Sequence, residues 1–169
     1  MSLFSARPER SATRPDRESV WDYPRPPRLE PVTARLSVVL RGETIAATTR
    51  GYGLLETSHP PNCYFPLDDV APGVLERTAG GSFCEFKGSA HYYSVRGGGR
   101  SEPDAAWGYD TPRAPYAALA RHVAFYAGRM DACFVDGERV IPQPGGFYGG
   151  WITSAVAGPF KGGPGSRGW

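Results

Sequence analysis

A mainly β fold, one domain of antiparallel strands with a single short helix, is what the sequence predicts, on three observations. Glycine (22 residues) and proline (17 residues) exceed ordinary usage and fall between short apolar runs, which favours strands and turns over long helices. The runs are rich in Val, Ile, Tyr and Phe, the residues that suit a pleated surface. Glycine-containing turn signals, Arg41-Gly42-Glu43 and Asp136-Gly137, separate several of them. At 169 residues and 40% hydrophobic content the chain can bury one core, so the domain is expected over residues 29–169, after a flexible tail of residues 1–28.

The tail holds prolines at 8, 15, 24, 26 and 27 and little to bury, except that Val20-Trp21-Asp22-Tyr23-Pro24 offers two large aromatics that can cover an exposed edge or patch. Residues 36–40 and 44–48 flank the first turn and make a hairpin. Residues 52–56 form a third strand, ended by Thr57-Ser58-His59-Pro60-Pro61, where two prolines deny ladder hydrogen bonds. A short strand follows at 63–66, then an acidic turn over 67–73.

Residues 83–95 carry the centre of interest. Gly88-Ser89 reads as a two-residue turn, which sets Lys87 opposite Ala90 and Cys84 opposite Tyr93. That register puts Cys84, Phe86, His91, Tyr93 and Val95 on a core face, with Cys84 an inert buried thiol. Phe83, Glu85, Lys87, Tyr92 and Ser94 take the other face. Residues 104–109 form another strand with Trp107 and Tyr109 on one side. Pro115 opens the one helix, because proline is tolerated in a first turn and the alanines and leucine after it propagate. The alternation of Val123 with Phe125 favours a strand over 122–126. Residues 130–135 and 139–141 pair across Asp136-Gly137. From Pro142 onward, glycines interleaved with aromatics read as loops laid over the sheet.

The segments Glu18-Ser19-Val20-Trp21-Asp22-Tyr23-Pro24, Glu56-Thr57-Ser58-His59-Pro60-Pro61, Phe83-Cys84-Glu85-Phe86-Lys87-Gly88, Ala106-Trp107-Gly108-Tyr109, Pro142 to Trp151 and Gly158-Pro159-Phe160-Lys161-Gly162-Gly163-Pro164-Gly165 together resemble the domain of unknown function 427 family. The resemblance covers nearly the whole chain after residue 17. It implies a compact, mainly β domain of β-tent-like sheet packing, and it brings no established activity.

Charge narrows the partners. The body carries as many acidic as basic residues, the surplus of +2 sitting in the tail, so nucleic acid is not an expected partner. Three cysteines, Cys63, Cys84 and Cys133, form no CxxC pair and fit a reducing compartment. With no apolar run long enough to span a bilayer, the expectation is a soluble cytoplasmic protein away from membranes. His59, His91 and His122 with Glu56, Glu85 and Asp131 show no metal-ligand spacing, so neither metal nor cofactor is expected. Gly163 to Gly168 spells GxGxxG, but no helix follows to meet a pyrophosphate, so it is not a dinucleotide fingerprint.

Lys87 stands out because the chain has 17 arginines and only two lysines, the other being Lys161. Where arginine is the default cation, a retained lysine suits a compact charge or a proton that can be lost. The reading is a small-molecule site lined by Glu85, Lys87, Tyr92, Trp107 and Tyr109, with His59 at the rim. The alternative in the same pocket is general acid/base catalysis, with Glu85 or His59 as base and Lys87 or Tyr92 polarising an oxygen. A third reading makes the glycine- and aromatic-rich C-terminal loops a protein-interaction surface.

Overall fold

Alternating strands build the molecule in two open antiparallel sheets, as seen in a computed structural model that describes residues 17–84 and 86–169. After β1 (Glu18–Ser19) and a 3-10 turn at Val20–Asp22, β2 (Arg28–Val32) enters the larger sheet. The expected first hairpin forms as β3 (Leu36–Leu40) and β4 (Glu43–Thr48), with Arg41 and Gly42 both at positive φ in its turn. Then come β5 (Gly51–Leu55), β6 (Asn62–Pro66), β7 (Leu75–Cys84), β8 (Gly88–Gly97) and β9 (Arg100–Gly108). The helix expected from Pro115 is one 3-10 turn, Ala117–Leu119, and β10 (His122–Phe125) follows as a strand. Across Asp136 and Gly137, both at positive φ, β11 (Ala132–Val135) pairs with β12 (Glu138–Arg139). The C-terminal segment adds only two-residue ladders: β13 (Ile141–Pro142) with β14 (Trp151–Ile152), and β15 (Val156–Ala157) parallel to β1.

The larger sheet has the order β2-β5-β6-β10-β9-β8-β7 and the smaller β12-β11-β3-β4. The larger sheet's inner strands β6 and β10, with residues 105–108 of β9, are buried on both faces, which is why Cys63-Tyr64-Phe65 and Val123-Ala124-Phe125 read as unbroken apolar runs. On one face Phe65, Val123, Phe125 and Val95 meet Leu36, Val38, Leu40 and Cys133 of the smaller sheet, forming the inter-sheet core. On the other face Leu54, Tyr64, Trp107, Tyr109, Tyr116 and Leu119 form a second cluster. Val20, Trp21 and Tyr23 are buried against Leu55 and Val156, and Trp21 Nε1 donates to the Pro159 carbonyl at 2.9 Å.

The hairpin of residues 83–95 differs from the sequence expectation. Cys84 opposes Gly88 and Ser82 opposes Ala90, so Phe86 and Lys87 lie in the turn and Gly88, at φ +103°, closes it. The reason is tertiary: the Arg113 amide donates to the Lys87 carbonyl at 2.9 Å, holding the turn one element away from its own strands. An odd slip in register exchanges the faces of one strand against the other. Cys84 therefore leaves the core for the face of Ala90 and Tyr92, and Lys87 leaves the strand for the turn.

Candidate functional site

The second face of the larger sheet carries a cleft of about 260 Å³. Its floor comes from β9 and its extension, which place Trp107 and Tyr109 on the same side, and from Leu54 of β5. One wall is the β7–β8 hairpin, through Ser82, Phe83, Cys84, Ala90 and Tyr92, with Lys87 at its turn. Tyr126, Phe147, Tyr148 and Gly149 line the cleft as well, and Glu56, His59 and Asn62 complete the lining.

Five of the residues expected from the sequence, His59, Lys87, Tyr92, Trp107 and Tyr109, thus line one cavity. Glu85 lies outside the described residues. Glu56, Asn62, Ser82, Tyr126 and Tyr148 line the cavity too and were not in the expected set. One signal points to Glu56: it stands three residues before His59 at the same strand end.

Local chain geometry explains the His59 loop. Ser58 holds a positive φ of 70°, uncommon for a residue with a side chain, and is fully buried. Its amide donates to the Val20 carbonyl at 3.0 Å and its carbonyl accepts from the Lys161 amide at 2.8 Å, so both flanking segments clamp the loop. His59 itself is 7% exposed, with its ring edge-on to Tyr148 at 5.1 Å between centroids. Its Nδ1 lies 3.0 Å from Glu56 Oε2 and 2.9 Å from the Thr57 carbonyl oxygen. Both neighbours are acceptors, so Nδ1 carries the hydrogen and Nε2 is left as the other ring nitrogen.

The electrostatics are mixed. Burial pushes the Glu56 carboxyl up, but the His59 hydrogen bond and charge, with Lys87 and Arg25, more than offset it, and the carboxyl sits below its usual range. Lys87 is 8% exposed and its Nζ lies 5.8 Å from the Tyr109 ring centroid, a cation held against an aromatic face. Burial pushes the Tyr109 and Tyr64 phenols strongly upward and that of Tyr126 to about 12, so these hydroxyls stay neutral donors at physiological pH. Trp107 is fixed in place: Nε1 donates to Tyr64 Oη at 3.3 Å, and its ring lies against Tyr126 at 4.6 Å. Tyr92 Oη donates to Ser82 Oγ at 3.0 Å across the β7–β8 hairpin. Asn62 Oδ1 is buried without a hydrogen-bond partner among the described residues, a desolvation cost that a donor group on a ligand would offset.

His91 belongs elsewhere. It is buried on β8 between Gly81 of β7 and Gly108 of β9, its Nε2 2.8 Å from Tyr93 Oη, with Asp110 and Arg77 beyond it. Among the described residues no three His, Cys, Asp or Glu side chains gather as a metal site, and no helix is long and apolar enough to cross a membrane. The cleft brings aromatic rings together with an ammonium, a carboxylate and an imidazole.

The family model described as a domain of unknown function (DUF427) matches residues 28–136, more than half of the chain, and stops before the glycine-rich loops. No curated protein matches the chain.

Proposed function

The chain belongs to the domain of unknown function 427 family, which carries no established activity, and from the cleft we propose that it binds a small aromatic or otherwise planar molecule. The observation that carries this reading is Lys87, a nearly buried ammonium set over Tyr109 inside a cavity shared with His59, Tyr92 and Trp107. A lysine withdrawn from water costs solvation free energy, and a cation–π contact plus a ligand oxygen would offset that cost. A thermal-shift screen of metabolite-sized aromatic compounds tests it. Hits should disappear in Lys87→Met and His59→Gln; hits that persist in both refute the site.

A second reading, general acid/base catalysis in the same cleft, is favoured by the Glu56–His59 pair. A carboxylate on Nδ1 fixes the tautomer and orientation of an imidazole and stabilises its protonated form, the arrangement a general base needs. Lys87 or Tyr92 would then polarise a substrate oxygen. Turnover that is lost in His59→Gln while ligand binding survives separates catalysis from binding alone.

We place the protein in the cytoplasm with a small-molecule partner and without nucleic acid. All three cysteines are free thiols, as a reducing compartment keeps them, and the charge of residues 29–169 is balanced.

A further inference from the structure

On the far side of Tyr148 lies a second cavity of about 310 Å³, lined by Lys161, Arg167 and a run of glycines that includes Gly145, Gly162 and Gly163. Phe147 and Tyr148 border both cavities. The Tyr148 ring has the His59 ring at 5.1 Å on one contact and Lys161 Nζ at 5.8 Å from its centroid on another. Those two distances laid end to end bound the separation between His59 in the first cavity and Lys161 in the second. The cavities differ in chemistry. Aromatic rings dominate the first, whereas the charged side chains lining the second are both basic, and its glycines leave the main chain open to close approach. Phe147 stands 72% exposed on the shared rim, a large apolar ring that a second ring could cover.

We propose that the two cavities form one bipartite site for a planar ring carrying a phosphate group, the ring lying against Trp107 and Tyr109 and the phosphate on Lys161 and Arg167. This rests on the reading of the first cleft as a binding site. Arginine presents a fork that matches phosphate oxygens, and lysine adds a compact charge. Lys161 donates one of its three hydrogens to the Trp169 carbonyl oxygen at 2.9 Å, so it is held in position with two donors to spare. Gly162 and Ser166 are tied by an amide-to-hydroxyl hydrogen bond of 2.8 Å, which keeps the glycine loop in shape behind them.

Calorimetric titration of the full chain with ADP and 1-naphthyl phosphate, against adenosine, 1-naphthol and inorganic pyrophosphate, tests the proposal. At least one phosphate-bearing probe should bind tenfold or more tighter than its parent, and Arg167→Gln should remove most of that gain without changing the parent's affinity. Lys161→Arg, which keeps the charge, should retain the gain. Raising the ionic strength should shrink the gain, because an exposed arginine contributes to it. Preference for ADP over 1-naphthyl phosphate identifies a nucleotide; the reverse identifies another ring phosphate. If the parents bind and the phosphate adds nothing, or if Arg167→Gln leaves the gain intact, the bipartite site is wrong while the first cleft stands. If no probe binds, both fall.

Discussion

Glu56 Oε2 and His59 Nδ1 meet at 3.0 Å across one turn of loop, both largely withdrawn from water. The Glu56 carboxyl is consequently held below its usual range, since the His59 contact and the Lys87 charge outweigh the burial that raises it. A carboxyl depressed in the folded state stabilises the fold above its unfolded pKa and loses that contribution as pH falls through the folded value. Glu56→Gln should therefore cost about 1–2 kcal/mol at neutral pH. The difference in unfolding free energy from the wild type should close below the ordinary carboxylate range, as urea denaturation at pH 7 and at acid pH will measure. A difference that grows on acidification contradicts the assignment.

Lys87→Met tests the charge at the turn. Removing the ammonium takes away one cause of the lowered Glu56 carboxyl, so the Glu56 titration seen by carbon NMR should move upward. Stability should change by less than about 1 kcal/mol, because a lost cation–π contact is offset by a lost desolvated charge. An unmoved Glu56 titration would show that the two groups do not sense each other.

Gly149 packs its main chain on Trp107, where an added Cβ would overlap the indole ring. Gly149→Ala should displace the wall or turn Trp107, at a cost of about 1–3 kcal/mol. A red shift in tryptophan fluorescence and loss of every cleft ligand are the expected readouts; unchanged emission with ligand binding intact would place the wall elsewhere.

Phe125, fully buried in the inter-sheet core with Phe65 at 5.4 Å between ring centroids, provides the contrast. Phe125→Ala should cost about 3–5 kcal/mol by leaving a cavity, and should lower the melting temperature whether or not a ligand is present.

Much of this was legible in the residues. The turns at Gly42 and at Asp136-Gly137 announced their hairpins because local chemistry decides them. Trp107 and Tyr109 fell on one face because strand alternation has a fixed period. The register of the β7–β8 hairpin was not legible, since a hydrogen bond from Arg113 selects the turn and local sequence cannot report it. That one slip turned Cys84 from a core thiol into a cleft residue. Glu56 escaped for a related reason. Its role depends on the buried loop at Ser58, clamped by segments more than thirty residues away on one side and a hundred on the other. Tyr126 and Tyr148 could not be assigned to the cleft because an aromatic lining a cleft and one filling a core have the same sequence signature.

Neighbours along the strands, Tyr64 with Phe65, Ala124 with Phe125 and Ala106 with Trp107, belong to different clusters. The cleft floor cannot loosen without parting the two sheets, so its backbone amides should exchange with solvent only as fast as the whole domain unfolds. The wall formed by Phe147, Tyr148 and Gly149 contributes no strand to either sheet. Substitution at Phe147 or Tyr148 can reshape what the protein admits while the floor stays constant, whereas Gly149 is tied to the floor through Trp107.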